Sequence, residues 1–185
     1  MFCSSNGDIW IGSWGNGVSK YNKGQFVSLK EEDGLLSNSV RSISQDEDGN
    51  VWLGTSKGII KYNEPNFTNF TVEEGLLNPD ITCSHVDISG KIWFGTTGGV
   101  ISVYDGNEFS HFTSQDGLPE RTWFQVLSSD VNGEIWLGGR FGNSQGAYYF
   151  NGEDFSCITP SKGLIGKDIN AISKIVTESK LENTN

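Results

Sequence analysis

One phrase recurs four times in this chain, and it limits the possible folds more than any bulk property does. GDIWIGSWGNGVSKYN begins at Gly7, GNVWLGTSKGIIKYN at Gly49, GKIWFGTTGGVISVYD at Gly90 and GEIWLGGRFGNSQGAYYFN at Gly133. Trp10, Trp52, Trp93 and Trp136 follow one another at intervals of 42, 41 and 43 residues. The pairs Gly34-Leu35, Gly75-Leu76, Gly117-Leu118 and Gly163-Leu164 keep intervals of 41, 42 and 46. Two aromatics lie five apart in each copy: Tyr21 and Phe26, Tyr62 and Phe67, Tyr104 and Phe109, Phe150 and Phe155. A fixed period of this length marks a supersecondary unit that cannot bury its apolar face alone and must stack on its neighbours.

Each period reads as four short strands. In the second copy they are VRSISQD (40–46), VWLGT (51–55), GIIKY (58–62) and FTNFTV (67–72). These are β-branched and aromatic runs bounded by Gly, Asn and Asp, and no helical periodicity competes with them. Asp46 to Gly49, Asp87 to Gly90 and Asp130 to Gly133 place Asp first and Gly fourth, which suits a side-chain-capped turn with Gly at positive φ. The second strand is apolar on both faces, as in Val51-Trp52-Leu53, Ile92-Trp93-Phe94 and Ile135-Trp136-Leu137. A sheet with one wet face would alternate apolar and polar residues. Each small sheet is therefore expected to be covered on both sides. Radial stacking of four-stranded antiparallel blades meets that demand, so the expected fold is an all-β propeller of about four blades. A β-sandwich is the alternative, but it does not explain a regular Trp period.

Composition narrows the partners. Twenty-three acidic residues against 13 Lys and Arg leave a formal charge of −10, with no basic run, which argues against nucleic acid and anionic membranes. No apolar run approaches the ~18 residues of a membrane span. MFCSSNGDIW lacks a basic start and an apolar stretch, so no signal peptide is expected. Cys3, Cys83 and Cys157 form no CxxC pair.

The stretch DGLLSNSVRSISQDEDGNVWLGTSKGIIKYN closely resembles the two-component regulator propeller repeat, through Gly34, Leu35, Asp46, Gly49, Trp52, Gly54, Thr55, Gly58, Tyr62 and Asn63. The third copy agrees at Gly75, Leu76, Asp87, Gly90, Trp93, Gly95 and Thr96, and the resemblance extends over about residues 6–175. It implies an extracytoplasmic, periplasmic or extracellular sensor module of a bacterial hybrid two-component or related signalling protein, some of which sense oligosaccharides. The copies differ in detail. Ser13 and Gly139 stand where the repeat has Thr, and blade four carries a longer insertion, GGRFGNSQG. One extra residue in the inner strand before Asp130 suggests a bulge there.

Strand counting gives sixteen if the run Asp168 to Ile175 is one more first strand, so that the repeats occupy 1–175 and a polar tail 176–185. That number permits a closed four-blade ring, with the last strand pairing into blade one, or an arc of a larger ring. The arc is favoured, because family members usually have more blades.

The loops joining second and third strands are expected to share a face with the inter-blade loops, near the channel. Trp14 lies outside the period, so repeat packing does not require it. With Arg140 and Phe141 of the blade-four insertion it would offer an aromatic platform beside a cation, suited to a sugar ring or a carboxylate. Trp123 on an inner strand is a further ligand-binding candidate. The four periodic Trp residues are assigned to packing. His85 and His111 lack neighbours that would complete a metal set, and DEDGN at 46–50 has Lys57 where a calcium loop needs a carboxylate. No GxSxG elbow occurs, so no catalytic residue, metal or cofactor is expected. The expectation is a non-enzymatic binding module for a small molecule or glycan. Its expected partners are a signalling output domain, missing blades of a larger chain, or a second copy. The alternatives are a propeller lyase or hydrolase of the streptogramin-lyase type and a protein-interaction scaffold.

Overall fold

The computed structural model describes residues 1–140 and 142–172. They form four antiparallel sheets of four strands each, and within every sheet the strands lie in chain order. Blade one is β1 (Phe2–Cys3), β2 (Ile9–Gly12), β3 (Val18–Asn22) and β4 (Gln25–Leu29). Blade two is β5 (Val40–Gln45), β6 (Val51–Thr55), β7 (Gly58–Asn63) and β8 (Asn66–Phe70). Blade three is β9 (Ile81–Val86), β10 (Ile92–Thr96), β11 (Ile101–Tyr104) and β12 (Phe109–Phe112). Blade four is β13 (Trp123–Ser129), β14 (Ile135–Arg140), β15 (Ala147–Phe150) and β16 (Phe155–Ile158). Single 3₁₀ turns at Glu31–Asp33, Ser114–Asp116 and Pro160–Lys162 lead into Gly34, Gly117 and Gly163, each at positive φ.

The blades touch in chain order: β2 against β5, β5 against β9, β9 against β13. The second strands report how each blade is covered. Every residue of β6 and β10 is buried, whereas β2 in blade one is buried only at Trp10. The core is a row of joints rather than one centre. Trp10 packs on Tyr62, Trp52 on Tyr104 and Trp93 on Phe150, with ring centroids 5.5, 5.2 and 5.6 Å apart. Each joint sets a second-strand Trp against the third-strand aromatic of the next blade.

Gly in the Trp-x-Gly signature makes this stacking possible. A Cβ on Gly54 would lie 2.5 Å from the Ile81 side chain, on Gly95 2.8 Å from Phe124 Cβ, and on Gly138 2.4 Å from Ile169. In each case the neighbour is an apolar residue at the start of the following inner strand or segment, the first residue of β9 and the second of β13. The absent side chain is the space into which the next blade fits.

One expectation holds and one needs correction. The chain is an open arc, as favoured, and not the alternative closed four-blade ring: among the described residues β1 fills the inner-strand place of blade one, and no strand of blade four pairs with blade one. The expected last strand, 168–175, is not a strand over its described part, 168–172, and the remainder lies outside the described residues. Ile169 nevertheless sits on Gly138 as a first residue of a fifth inner strand would, and its N–H donates to the Gly139 carbonyl at 2.9 Å. The bulge inferred for blade four is present but is a feature of the repeat. β5, β9 and β13 each carry one, skipping Arg41, Thr82 and Gln125 respectively.

Candidate functional site

Those three bulges build the site. A β-bulge leaves one residue unpaired and re-aims its side chain. Arg41, Thr82 and Gln125 occupy equivalent places in three successive blades, and all three line one open cavity of about 240 Å³. Asn170 follows Ile169 as Arg41 follows Val40, and it lines the same cavity. Trp14 and Trp123 complete the lining. The cavity therefore lies along the inner strands, on the channel wall, and spans residues from all four blades.

Trp14 is held by the hairpin that carries it. Ser13 does the work of the Thr found in other blades: its hydroxyl donates to the Gly17 carbonyl at 2.9 Å and accepts from the Asn16 N–H at 3.0 Å. Thr55 and Thr96 make the same turn contacts with the carbonyls of Gly58 and Val100. Trp14 also forms a single bridge to Ser39 at the start of the next blade. Trp14 is 74% exposed. One face lies against the Arg41 guanidinium, 4.8 Å from the ring centroid. Arg41 Nη1 pairs with Asp80 Oδ1 at 2.5 Å, and Asp80 Oδ2 accepts from the Thr97 hydroxyl at 2.9 Å. Blades one, two and three are thus linked by a run of indole, guanidinium and carboxylate. The paired charges cancel, so the wall presents donors, acceptors and rings without net charge from this pair. Thr82 donates to the Gly95 carbonyl or to the Phe124 carbonyl of blade four.

The residues expected from sequence divide. Trp14 and Trp123 converge on the cavity although 109 positions separate them. Arg140 stands opposite Trp123 in the β13–β14 register, at the end of its strand, while the guanidinium lining the cavity belongs to Arg41. Phe141 lies outside the described residues. The residues missed were Arg41, Thr82, Gln125 and Asn170. Their common signal is a polar residue directly after the apolar residue that packs on the preceding blade's Gly, and only the bulge gives that position its direction.

Other features are explained by the repeat. Clefts of about 200 and 240 Å³ lie between blades one and two and between blades two and three, at equivalent places beside Trp10 with Lys20 and Trp52 with Lys61. His111 bonds to Ser102 and to the Gly75 carbonyl, and His85 bonds to Ser129 of the next blade. Among the described residues no group of three His, Cys, Asp or Glu is placed to hold a metal ion.

Comparison with known proteins agrees with this architecture. Residues 34–57 match the family model described as Two component regulator propeller. No curated protein matches the sequence. Among solved structures, the extracellular domain assigned to the hybrid two component system BT3049 of B. thetaiotaomicron superposes with a TM-score of 0.66 at 21% identity, over 97% of this chain and 31% of that one. The corresponding domain of BT4673 from the same organism gives 0.71 at 19% identity, over 88% of this chain and 23% of that one. Virginiamycin B lyase of Staphylococcus aureus gives 0.67 at 17% identity, over 85% and 54%. This chain thus spans about a quarter to a third of the length of the two extracellular domains. Residues 34–57 carry the repeat of the two-component regulator propeller family, set in a propeller arc of four blades.

Proposed function

We propose that this chain is a ligand-binding arc of a sensor propeller in a two-component or related signalling protein, and that it acts outside the cytoplasm by binding rather than by catalysis. The observation that carries the reading is the convergence of Trp14, Arg41, Thr82, Trp123, Gln125 and Asn170 on one channel-wall cavity. Two partly exposed indoles supply flat apolar surface, and the amides, hydroxyl and guanidinium supply directed hydrogen bonds. That combination suits a small hydroxylated ring compound such as a sugar unit of an oligosaccharide. The described lining residues are two indoles, two amides, a hydroxyl and a guanidinium paired with Asp80, a set that supports binding. The likeness to extracellular domains of two component systems supports both the setting and the expectation of an output domain as partner.

The test is calorimetry and Trp fluorescence against a panel of neutral and acidic oligosaccharides. A ligand of this site loses up to about tenfold in affinity in Trp14→Ala and in Trp123→Ala, since an aromatic contact is worth roughly 0.5–1.5 kcal/mol and 1.4 kcal/mol is tenfold. Phe26→Ala, on the exposed outer strand of blade one, leaves affinity unchanged. A ligand whose affinity ignores both Trp variants binds elsewhere and refutes the assignment.

A further inference from the structure

The channel-wall cavity has one charged group in its lining. Arg41 shares the wall with Trp14, Thr82, Trp123, Gln125 and Asn170, none of which carries a formal charge. What Arg41 offers therefore sets whether the cavity favours an acidic or a neutral ligand. Its side chain is only 14% exposed. One face of the guanidinium is covered by the Trp14 ring, and Nε is buried and makes no hydrogen bond. A cation so poorly hydrated needs an opposite charge beside it.

The chain supplies that charge itself and fixes it in place. Asp80 directly precedes β9, in the blade after the one that carries Arg41. It is tied at four points. Its Oδ1 accepts from Arg41 Nη1 at 2.5 Å, and its Oδ2 accepts from the Thr97 hydroxyl at 2.9 Å. Its N–H donates to Asn78 Oδ1 at 2.9 Å, and its carbonyl accepts from the Thr97 N–H at 3.2 Å. The carboxylate cannot swing aside for a ligand's acid group without losing both the Arg41 and the Thr97 bonds. A ligand carboxylate entering the cavity would meet a guanidinium already neutralised, with a fixed negative charge behind it, on a chain of formal charge −10. Like charges repel, and a carboxylate taken from water without a free cation to meet it is costly. A hydroxyl can exchange hydrogen bonds with the guanidinium, Gln125 and Asn170 without bringing a charge out of water.

We propose that Asp80 determines the charge specificity of this cavity: by holding and neutralising Arg41 it selects neutral hydroxylated rings and rejects acidic ones such as uronates. The inference rests on the ligand-binding reading above and narrows its ligand class. Asp80 is not among the residues that line the cavity, so it acts through Arg41, as a positioning residue. Its removal as a charge should invert the preference. Asp80→Asn keeps the size of the side chain and leaves the guanidinium uncompensated. A planar guanidinium in that state recognises a carboxylate through paired N–H donors.

The experiment is calorimetry on the full 185-residue chain with matched pairs of trisaccharides, one built of hexose units and the other of the corresponding hexuronates in the same linkage. The parent should bind a neutral member at least about tenfold more tightly than its acidic counterpart, tenfold being 1.4 kcal/mol. Asp80→Asn should strengthen binding of the acidic member by about tenfold and leave the neutral one within about threefold. Added salt should weaken the gained binding, and Arg41→Met in the Asp80→Asn background should abolish it. Asp80→Glu, which keeps the charge, should keep the parental preference. Thermal melts check that each variant folds, and the preference of the parent is a test that needs no variant. A parent that binds both members equally overturns the inference, as does an Asp80→Asn chain whose preference is unchanged or whose gain survives the loss of Arg41. In those cases binding that weakens in Trp14→Ala leaves the ligand-binding reading intact. Parent and Asp80→Asn chains that bind neither member of any pair overturn both.

Discussion

The aspartate that ends an inner strand holds two structures with one carboxylate. In blade two, Asp46 Oδ1 accepts from the Asn50 N–H at 2.8 Å and closes the turn, while Oδ2 accepts from Trp52 Nε1 at 2.8 Å. In blade three, Asp87 Oδ1 accepts from the amides of Ser89 and Lys91, and Oδ2 from Trp93 Nε1 at 2.8 Å. The turn and the buried indole are thereby tied, and the indole N–H is not left unpaired in the core. Burial by itself would push the Asp87 carboxyl up, but the bonds from Ser89 and Trp93 outweigh it and hold it below its ordinary 3.8. Asp8 is lowered in the same sense, by Asn22, Asn6 and Lys20 against its burial. A carboxyl depressed on folding contributes stability that is complete above the unfolded value and is lost as pH falls through the folded value. The melting temperature should thus be insensitive to these groups from pH 7 to 5 and fall below about pH 4. Asp87→Asn should lower stability at neutral pH by on the order of 1–2 kcal/mol, the worth of hydrogen bonds to a charged acceptor. It should lose least, relative to the parent, at pH 3. Melts across pH on the two proteins check this, and parallel curves would show that the carboxylate charge plays no part.

At the scale of the element, the joint between blades is set by a residue with no side chain. The Gly of Trp-x-Gly is not there for positive φ. It is there because the next inner strand approaches too closely for a Cβ. Gly95→Ala would place a methyl 2.5 Å from Cys83 Sγ and 2.8 Å from Phe124 Cβ, and Phe124 is fully buried. Overpacking of this kind costs about 1–3 kcal/mol. Chemical denaturation should report a loss in that range for Gly95→Ala. Gly166→Ala, where nothing lies within 4 Å of the added carbon and φ is outside the left-handed region, meets neither that clash nor backbone strain. Equal losses in the two variants would remove close approach as the cause. The bulges act at the same scale. Arg41, Thr82 and Gln125 reach the channel because each inner strand carries one residue more than its partner at that point.

At the scale of the molecule, stability is distributed as in other repeat arrays, where each unit contacts only its neighbours. Blades two and three are covered on both faces, and their second strands are wholly buried. Blade one leaves Ile11, Phe26 and Val27 exposed. Hydrogen exchange should therefore find the slowest amides in β6 and β10 and faster ones in β2, because local opening follows the density of buried contacts. Uniform protection across the four blades would mean that the arc opens only as a whole.

Much of this protein was written locally and could be read locally. The period of Trp and Gly-Leu, the four strands between them and the Asp-to-Gly turns follow from alternation, β-branched runs and turn chemistry, which depend on near neighbours in the chain. The element order matches that reading closely, down to β5 at 40–45 and β6 at 51–55. Trp14 and Trp123 could be singled out because they break the period. What the chain alone left open is set by long-range geometry. A bulge depends on the pairing register of two strands, so nothing in the run Val40-Arg41-Ser42 announces that Arg41 faces the channel. The choice between ring and arc turns on whether distant ends meet, and the structure places residues 168–172 on blade four instead of on blade one. The convergence of four polar residues, one from each inner strand or segment about 42 positions apart, exists only once the blades have stacked, because only then does the same place in every repeat become one wall.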